Sequence, residues 1–176
     1  GVTPNGTSAY FDTGFNPTTS NSVNNFSLSV YLRTAIVPGG YVSDWGNAVG
    51  PVFLPLTVLE STPSGRGNYC WDFTTGASNI TTSDSRGMWG VSRSGTNSWV
   101  SLERNTAVSK TSATTQSTLP NSNIYGGAIN DRGTAINFST RQIAMAHCGD
   151  SLTNTQFGNF YTTVQNFNQT LDRQVG

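Results

Sequence analysis

The sequence predicts an all-β sandwich closed by one C-terminal amphipathic helix, with residues 1–176 forming one domain. Three observations predict it. Short β-patterned segments recur with clusters of Gly, Asn, Ser and Thr between them, the spacing of a sandwich or barrel rather than of βαβ units. One of them, FSLSVYLRT (Phe26–Thr34), alternates strictly. After residue 153 the apolar period changes from two to between three and four.

Taken in order, Ala9–Thr13 is a first short strand and Asn16–Asn25 a polar loop. In Phe26–Thr34, Phe26, Leu28, Val30 and Leu32 alternate with Ser27, Ser29, Tyr31 and Arg33, the pattern of a half-buried strand. Pro38-Gly39-Gly40 breaks the chain before Tyr41–Trp45. Val52–Leu59 is apolar on both faces, and Pro55 moves it towards an edge or a bulge. Tyr69–Phe73, Gly87–Arg93 and Ser98–Arg104 follow at hairpin spacing, with Ser94–Asn97 as a turn. Arg104-Asn105-Thr106 reads as a hairpin tip leading into Ala107–Lys110. Ile124–Ile129 and Arg141–Cys148 are the last strands, the second apolar on both faces as a central strand is.

The helix spans about residues 153–172. Phe157, Phe160, Tyr161, Val164, Phe167 and Leu171 form one stripe. Thr153 with Gln156 makes a capping box, and Leu152 with Phe157 a hydrophobic staple. Arg173 suits the negative end of the helix dipole.

Composition narrows the function classes. Only 10% of residues are charged, against about 25% in an ordinary soluble domain. Ser, Thr and Asn make up 64 of 176 residues, so hydroxyls and amides carry solubility. Such surfaces suit proteins that work outside the cell or in a particle of many packed copies. Nine basic and nine acidic residues cancel, which leaves no electrostatic footprint for nucleic acid. No apolar run reaches the ~18 residues of a membrane-spanning helix. The opening GVTPNGTS fits a processed product or a piece of a longer chain. Cys70 and Cys148 read either as two buried thiols, the commoner case, or as one bridge.

Catalytic material is sparse. His147, the single histidine, adjoins Cys148, but neighbouring residues of a strand point to opposite faces and make a poor base–nucleophile pair. Glu60 and Glu103 lie 43 positions apart, and no acidic residue has another two places away, so the paired carboxylates of a glycosidase are not evident. There is no zinc spacing, phosphate loop or nucleophile elbow. Asp44, Asp131 and Asp150, in loops, give a weak calcium signal, since loop aspartates usually make Asx-turns.

Aromatics offer the better candidate. Trp45, Trp71, Trp89 and Trp99 lie near turns, and rings of this kind normally fill a core. Trp45 is the best candidate for exposure, because polar residues and glycine flank it in SDWGN (Ser43–Asn47). A sugar stacks its C–H face on such a ring while amides and carboxylates take its hydroxyls. Tyr41, Asp44, Trp45 and Asn47 are therefore the expected ligand-binding residues, with no catalytic residue and no metal site assigned.

The segments YFDTGFNPTTS (Tyr10–Ser20), FSLSVYLRT, WGVSRSG (Trp89–Gly95), NIYGGAINDRGTA (Asn123–Ala135) and Phe138–Gly176 together resemble the concanavalin A-like, laminin-G-type jelly-roll domains. The closing stretch carries most of the likeness: a buried strand, then Gly-Asp-x-Leu-Thr, then a helix ending Leu-x-Arg-Gln-Val. More narrowly, the chain looks like versions in tailed-phage virion proteins and related bacterial surface proteins. The resemblance implies a two-sheet antiparallel jelly roll in a virion fibre or decoration protein. It also implies a non-catalytic structural or adhesive role, with cell-surface carbohydrate as ligand and other virion subunits, including copies of itself, as partners. The expected location is the virion or the cell surface. The alternatives are a purely structural capsid or fibre protein and, in another class, a glycan hydrolase.

Overall fold

The computed structural model describes residues 1–22, 24–35, 42–48, 60–62, 65–68, 78–80, 84–104, 106–111 and 119–175. In chain order the elements are β1 (Phe11–Asp12), α1 (Pro17–Ser20), β2 (Phe26–Leu32), β3 (Val42–Ser43), β4 (Trp45–Ala48), β5 (Glu60–Thr62), β6 (Gly65–Asn68) and β7 (Ser78–Ile80). They continue as β8 (Gly87–Arg93), β9 (Ser98–Glu103), β10 (Thr106–Thr111), β11 (Tyr125–Gly126), β12 (Ile129–Asp131), β13 (Thr134–Ile136), β14 (Ile143–Gly149) and α2 (Asn154–Thr170).

The architecture is a mostly-β, two-sheet sandwich closed by the C-terminal helix. One five-stranded sheet, β10-β9-β8-β2-β14, is antiparallel throughout. The other runs β1-β11-β4-β12-β13, and its β12 pairs parallel with β4 where the sequence led us to expect antiparallel pairing only. A four-stranded ribbon, β3-β5-β6-β7, completes the described strands. The expected strands at Val52–Leu59 and Tyr69–Phe73 lie outside the described residues.

Between the two five-stranded sheets, Phe26, Leu28, Val30 and Leu32 of β2 pack with Trp89, Val91, Trp99 and Ile143, and meet Trp45 and Ile124 from the opposite sheet. That is the inward row read from the alternation. The outward row of β2 differs from expectation, because Ser27, Ser29 and Tyr31 are fully buried as well. The reason is α2, which lies across that face with Phe157 and Val164 packed on Tyr31, Met88, Val100 and Leu102.

Small residues make room for it. Ser29 pairs with Gly90, and a Cβ on Gly90 would stand 2.5 Å from Phe157 Cζ and 2.7 Å from the Leu28 carbonyl oxygen. Beside this notch the Ser92 hydroxyl grips Leu152, accepting its N–H at 2.6 Å and lying 2.7 Å from its carbonyl oxygen. The capping box forms as expected, with Gln156 N–H donating to Thr153 Oγ1 and Thr153 N–H to Gln156 Oε1. Past the helix, Arg173 stacks over Phe167, 5.1 Å from the ring centre. The Tyr31 hydroxyl then fastens the chain end, accepting from the Val175 N–H at 2.9 Å.

Two local departures have clear causes. The polar loop after Asn16 contains α1, because Pro17 supplies a preset φ at the first turn and Asn16 Oδ1 accepts from Thr18 N–H. The strand expected over Ile124–Ile129 divides into β11 and β12 at Gly127, whose φ of +81° is left-handed.

Candidate functional site

The structure separates three of the four expected binding residues from solvent. Tyr41 lies outside the described residues. Trp45, expected to be exposed, is only 3% exposed and belongs to the core, its ring 5.8 Å from that of Phe11. The flanking polar residues misled because they are buried too, on a strand with neighbours on both sides. Asp44 is fully buried: its carboxylate accepts from Ser139 Oγ at 2.6 Å and from Arg141 Nε at 2.8 Å. Asn47 is buried as well, its Nδ2 donating to the Ser122 carbonyl at 2.7 Å. A sugar cannot stack on a ring so enclosed. The three are interior fixtures.

The other candidates are similarly resolved. His147 and Cys148 face opposite ways, as their adjacency requires: Cys148 packs against the inter-sheet core and His147 against Phe160 of α2, with 4.8 Å between ring centres. Burial pushes the Cys148 thiol pKa up and the His147 pKa down. Cys148 is a free thiol; Cys70 lies outside the described residues. The three aspartates do not converge, and Asp131 ends β12 instead of lying in a loop. Asp44 is held by Arg141, and Asp150 Oδ1 accepts from Asn21 and Asn25. Among the described residues no three metal-ligating side chains come together.

Asn47 nevertheless leads to a site. The Ser122 carbonyl it holds belongs to the wall of a pocket of ≈ 430 Å³, whose polar lining is Asn121, Asn123, Tyr125, Asn130 and Arg132 together with Ser122. The pocket sits at the β4–β12 side of the second sheet, between the segment entering β11 and the β12–β13 hairpin. Asn130 is the hinge of its geometry. It pairs with Asn47 across the parallel strands, donates through Nδ2 to the Asn123 carbonyl at 2.7 Å, and accepts the Gly133 N–H at 2.6 Å.

The other two amides are pinned by one end each. Asn121 Oδ1 accepts from Asn16 Nδ2 at 2.8 Å and Thr18 Oγ1 at 3.1 Å, which leaves its Nδ2 protons without a partner among the described residues. Asn123 donates through Nδ2 to Asp12 Oδ2 at 3.1 Å, which leaves its Oδ1 likewise unengaged. The pocket thus presents a fixed amide donor and a fixed amide acceptor, and adds the exposed guanidinium of Arg132. Beneath them Tyr125 stacks on Tyr10 at 4.6 Å, and burial raises its phenol pKa. Sequence reading passed over these residues. The usable signal was Arg132-Gly133 between Asp131 and Thr134, a two-residue hairpin turn with arginine at a position that favours Asn, Asp or Gly.

No family model matches the chain, and no curated protein matches it. Among solved structures, the chain is similar to a sialidase of Trypanosoma rangeli in complex with 2,3-difluorosialic acid, described as a covalent intermediate. The TM-score is 0.52 at 13% identity, over 81% of this chain and 23% of the sialidase. This chain therefore corresponds to less than a quarter of that protein's length, and the likeness is one of fold.

Proposed function

We propose that the protein is a non-catalytic adhesive module of jelly-roll type that binds carbohydrate in the Asn121–Asn123–Asn130 pocket. One observation carries the reading: among the described residues, Asn121 and Asn123 are each anchored at one end of the amide and free at the other, beside a pocket large enough for a small sugar. Sugar hydroxyls both donate and accept, and amides held in fixed orientation match them without losing side-chain freedom on binding. Among the described residues the pocket lining includes no carboxylate, and the shift of Tyr125 is upward, opposite to what a phenolate nucleophile needs. Both features favour binding over hydrolysis.

The setting we propose is a virion fibre or decoration protein, on the resemblance of the closing segment. Weak single sites then act together through many copies on one surface. The test is a glycan array probed with multimeric protein, repeated with Asn121→Ala and Asn123→Ala and followed by assay of bound glycans for cleavage. Binding that both substitutions abolish, without cleavage, is the expected result. A blank array from folded multimer would favour the purely structural role, and released sugar would favour the hydrolase.

A further inference from the structure

We propose that the pocket selects an acidic sugar, with Arg132 as the counter-ion of an oxyanion on the ring. This rests on the carbohydrate-binding reading above and deepens it.

Among the described residues Arg132 is the only charged one in the pocket lining, and neither a hydrogen bond nor an ion pair there engages its guanidinium. Two acids lie nearby, and neither is ion-paired to Arg132. Asp12 accepts from Asn123 Nδ2 at 3.1 Å and from the Gly14 N–H at 2.8 Å. Asp131 precedes Arg132 and follows Asn130 on β12, so the strand alternation sends its side chain away from the Asn130 side. Arg132 thus brings positive charge to one wall, while the Asp12 carboxylate stands behind Asn123 and Tyr125.

The backbone supports the same assignment. Arg132 has φ +51° and is followed by Gly133 at φ +90°, the left-handed pair of a two-residue hairpin turn. Asn, Asp or Gly adopts that first position more easily than a long side chain does. Nothing in the turn itself calls for arginine: its N–H reaches only the Ala48 carbonyl, at 3.4 Å, through the main chain. What the side chain adds is a planar five-donor cation at the mouth of an amide-lined pocket, a shape that fits carboxylate and other oxyanions.

The experiment uses an array carrying matched oligosaccharides, each neutral member beside its uronic-acid and its sulfate-ester counterpart. Wild type is compared with Arg132→Asn, a replacement suited to the left-handed turn. The expected result is a preference of about fivefold for the acidic members, the scale of a solvent-exposed ion pair. That preference shrinks at high salt and is lost in Arg132→Asn. A gain limited to uronic acids identifies the oxyanion as carboxylate, and an equal gain for sulfate esters identifies charge alone. Equal binding of neutral and acidic members, unaltered by Arg132→Asn, overturns this inference and leaves the carbohydrate reading intact. Absence of binding to every member overturns both.

Discussion

The Arg141 guanidinium closes on the Asp44 carboxylate at 2.6 Å, with both side chains fully withdrawn from solvent. Ser139 completes the triangle, donating its hydroxyl to Asp44 and accepting the Arg141 N–H. The pair ties the residue between β3 and β4 to the segment that enters β14. Removing one member strands a buried charge, which costs about 3–5 kcal/mol. Asp44→Ala and Arg141→Met should each lower the urea midpoint accordingly. Replacing both with apolar residues should restore most of the loss, since the lone charge is then gone.

Trp45→Ala tests the reassignment of that residue from ligand contact to core. Deleting a buried tryptophan from a packed interior costs about 3–5 kcal/mol. The expected outcome is a large fall in unfolding temperature for Trp45→Ala. Trp45→Phe, which keeps a ring beside Phe11, should fall less and should bind glycan like wild type in the folded state.

Two glycines near α2 should respond in opposite directions. Gly90→Ala places a methyl group 2.5 Å from Phe157 Cζ and 2.8 Å from Ser29 Cβ, so the helix must lift or the sheet must shift. Overpacking of this kind costs about 1–3 kcal/mol. Gly158 lies inside α2 with nothing within 4 Å of an added Cβ, and alanine there should add about 0.5–1 kcal/mol through helix propensity. Chemical denaturation of the two variants gives both signs in one experiment.

Acid should loosen the helix face through His147. Its Nε2 lies 3.0 Å from Ser27 Oγ, whose own proton goes to the Asp150 carbonyl at 2.6 Å, so the imidazole donates from Nε2. Burial lowers the His147 pKa, and the unfolded chain therefore takes up the proton first. Stability should be undiminished above the unfolded value of about 6.5 and should fall as pH drops through it, until the folded site also titrates. Asp84 acts in a separate window. The Arg86 side chain, hydrogen-bonded to it, holds its pKa at about 2, so its contribution is lost only as pH falls from 3.8 towards that value. A pH series of unfolding free energies should show the first step in wild type and lack it in His147→Gln.

Local chemistry made the strands and the helix start legible. The inner row of β2 and the Thr153–Gln156 box depend on neighbours a few residues away, and both formed as read. What escaped depends on partners distant in sequence. Ser27 and Ser29 look like a solvated face until partners more than a hundred residues later close over it, His147 and the Asp150 carbonyl at Ser27 and Phe157 of α2 beside Ser29 and Gly90. Asp44 and Asn47 look like a polar loop until Arg141 and Ser122 reach them. The pocket was invisible for the same reason. Asn121 and Asn123 gain their fixed orientations from Asn16 and Asp12, at the other end of the chain.

The strand order β10-β9-β8-β2-β14 bears on how the protein is made. As the ribosome extends the chain, β2 emerges early and finds β8 some sixty residues later, but its other edge waits for β14 and its outer face for α2. Until β14 and α2 leave the exit tunnel, the nascent sheet presents an open edge and an uncovered apolar surface around Tyr31 and Met88. Pairings so remote in sequence fold slowly. Completion of this sandwich thus waits until α2 has emerged, and the interval before it is when a nascent-chain chaperone would have most to hold.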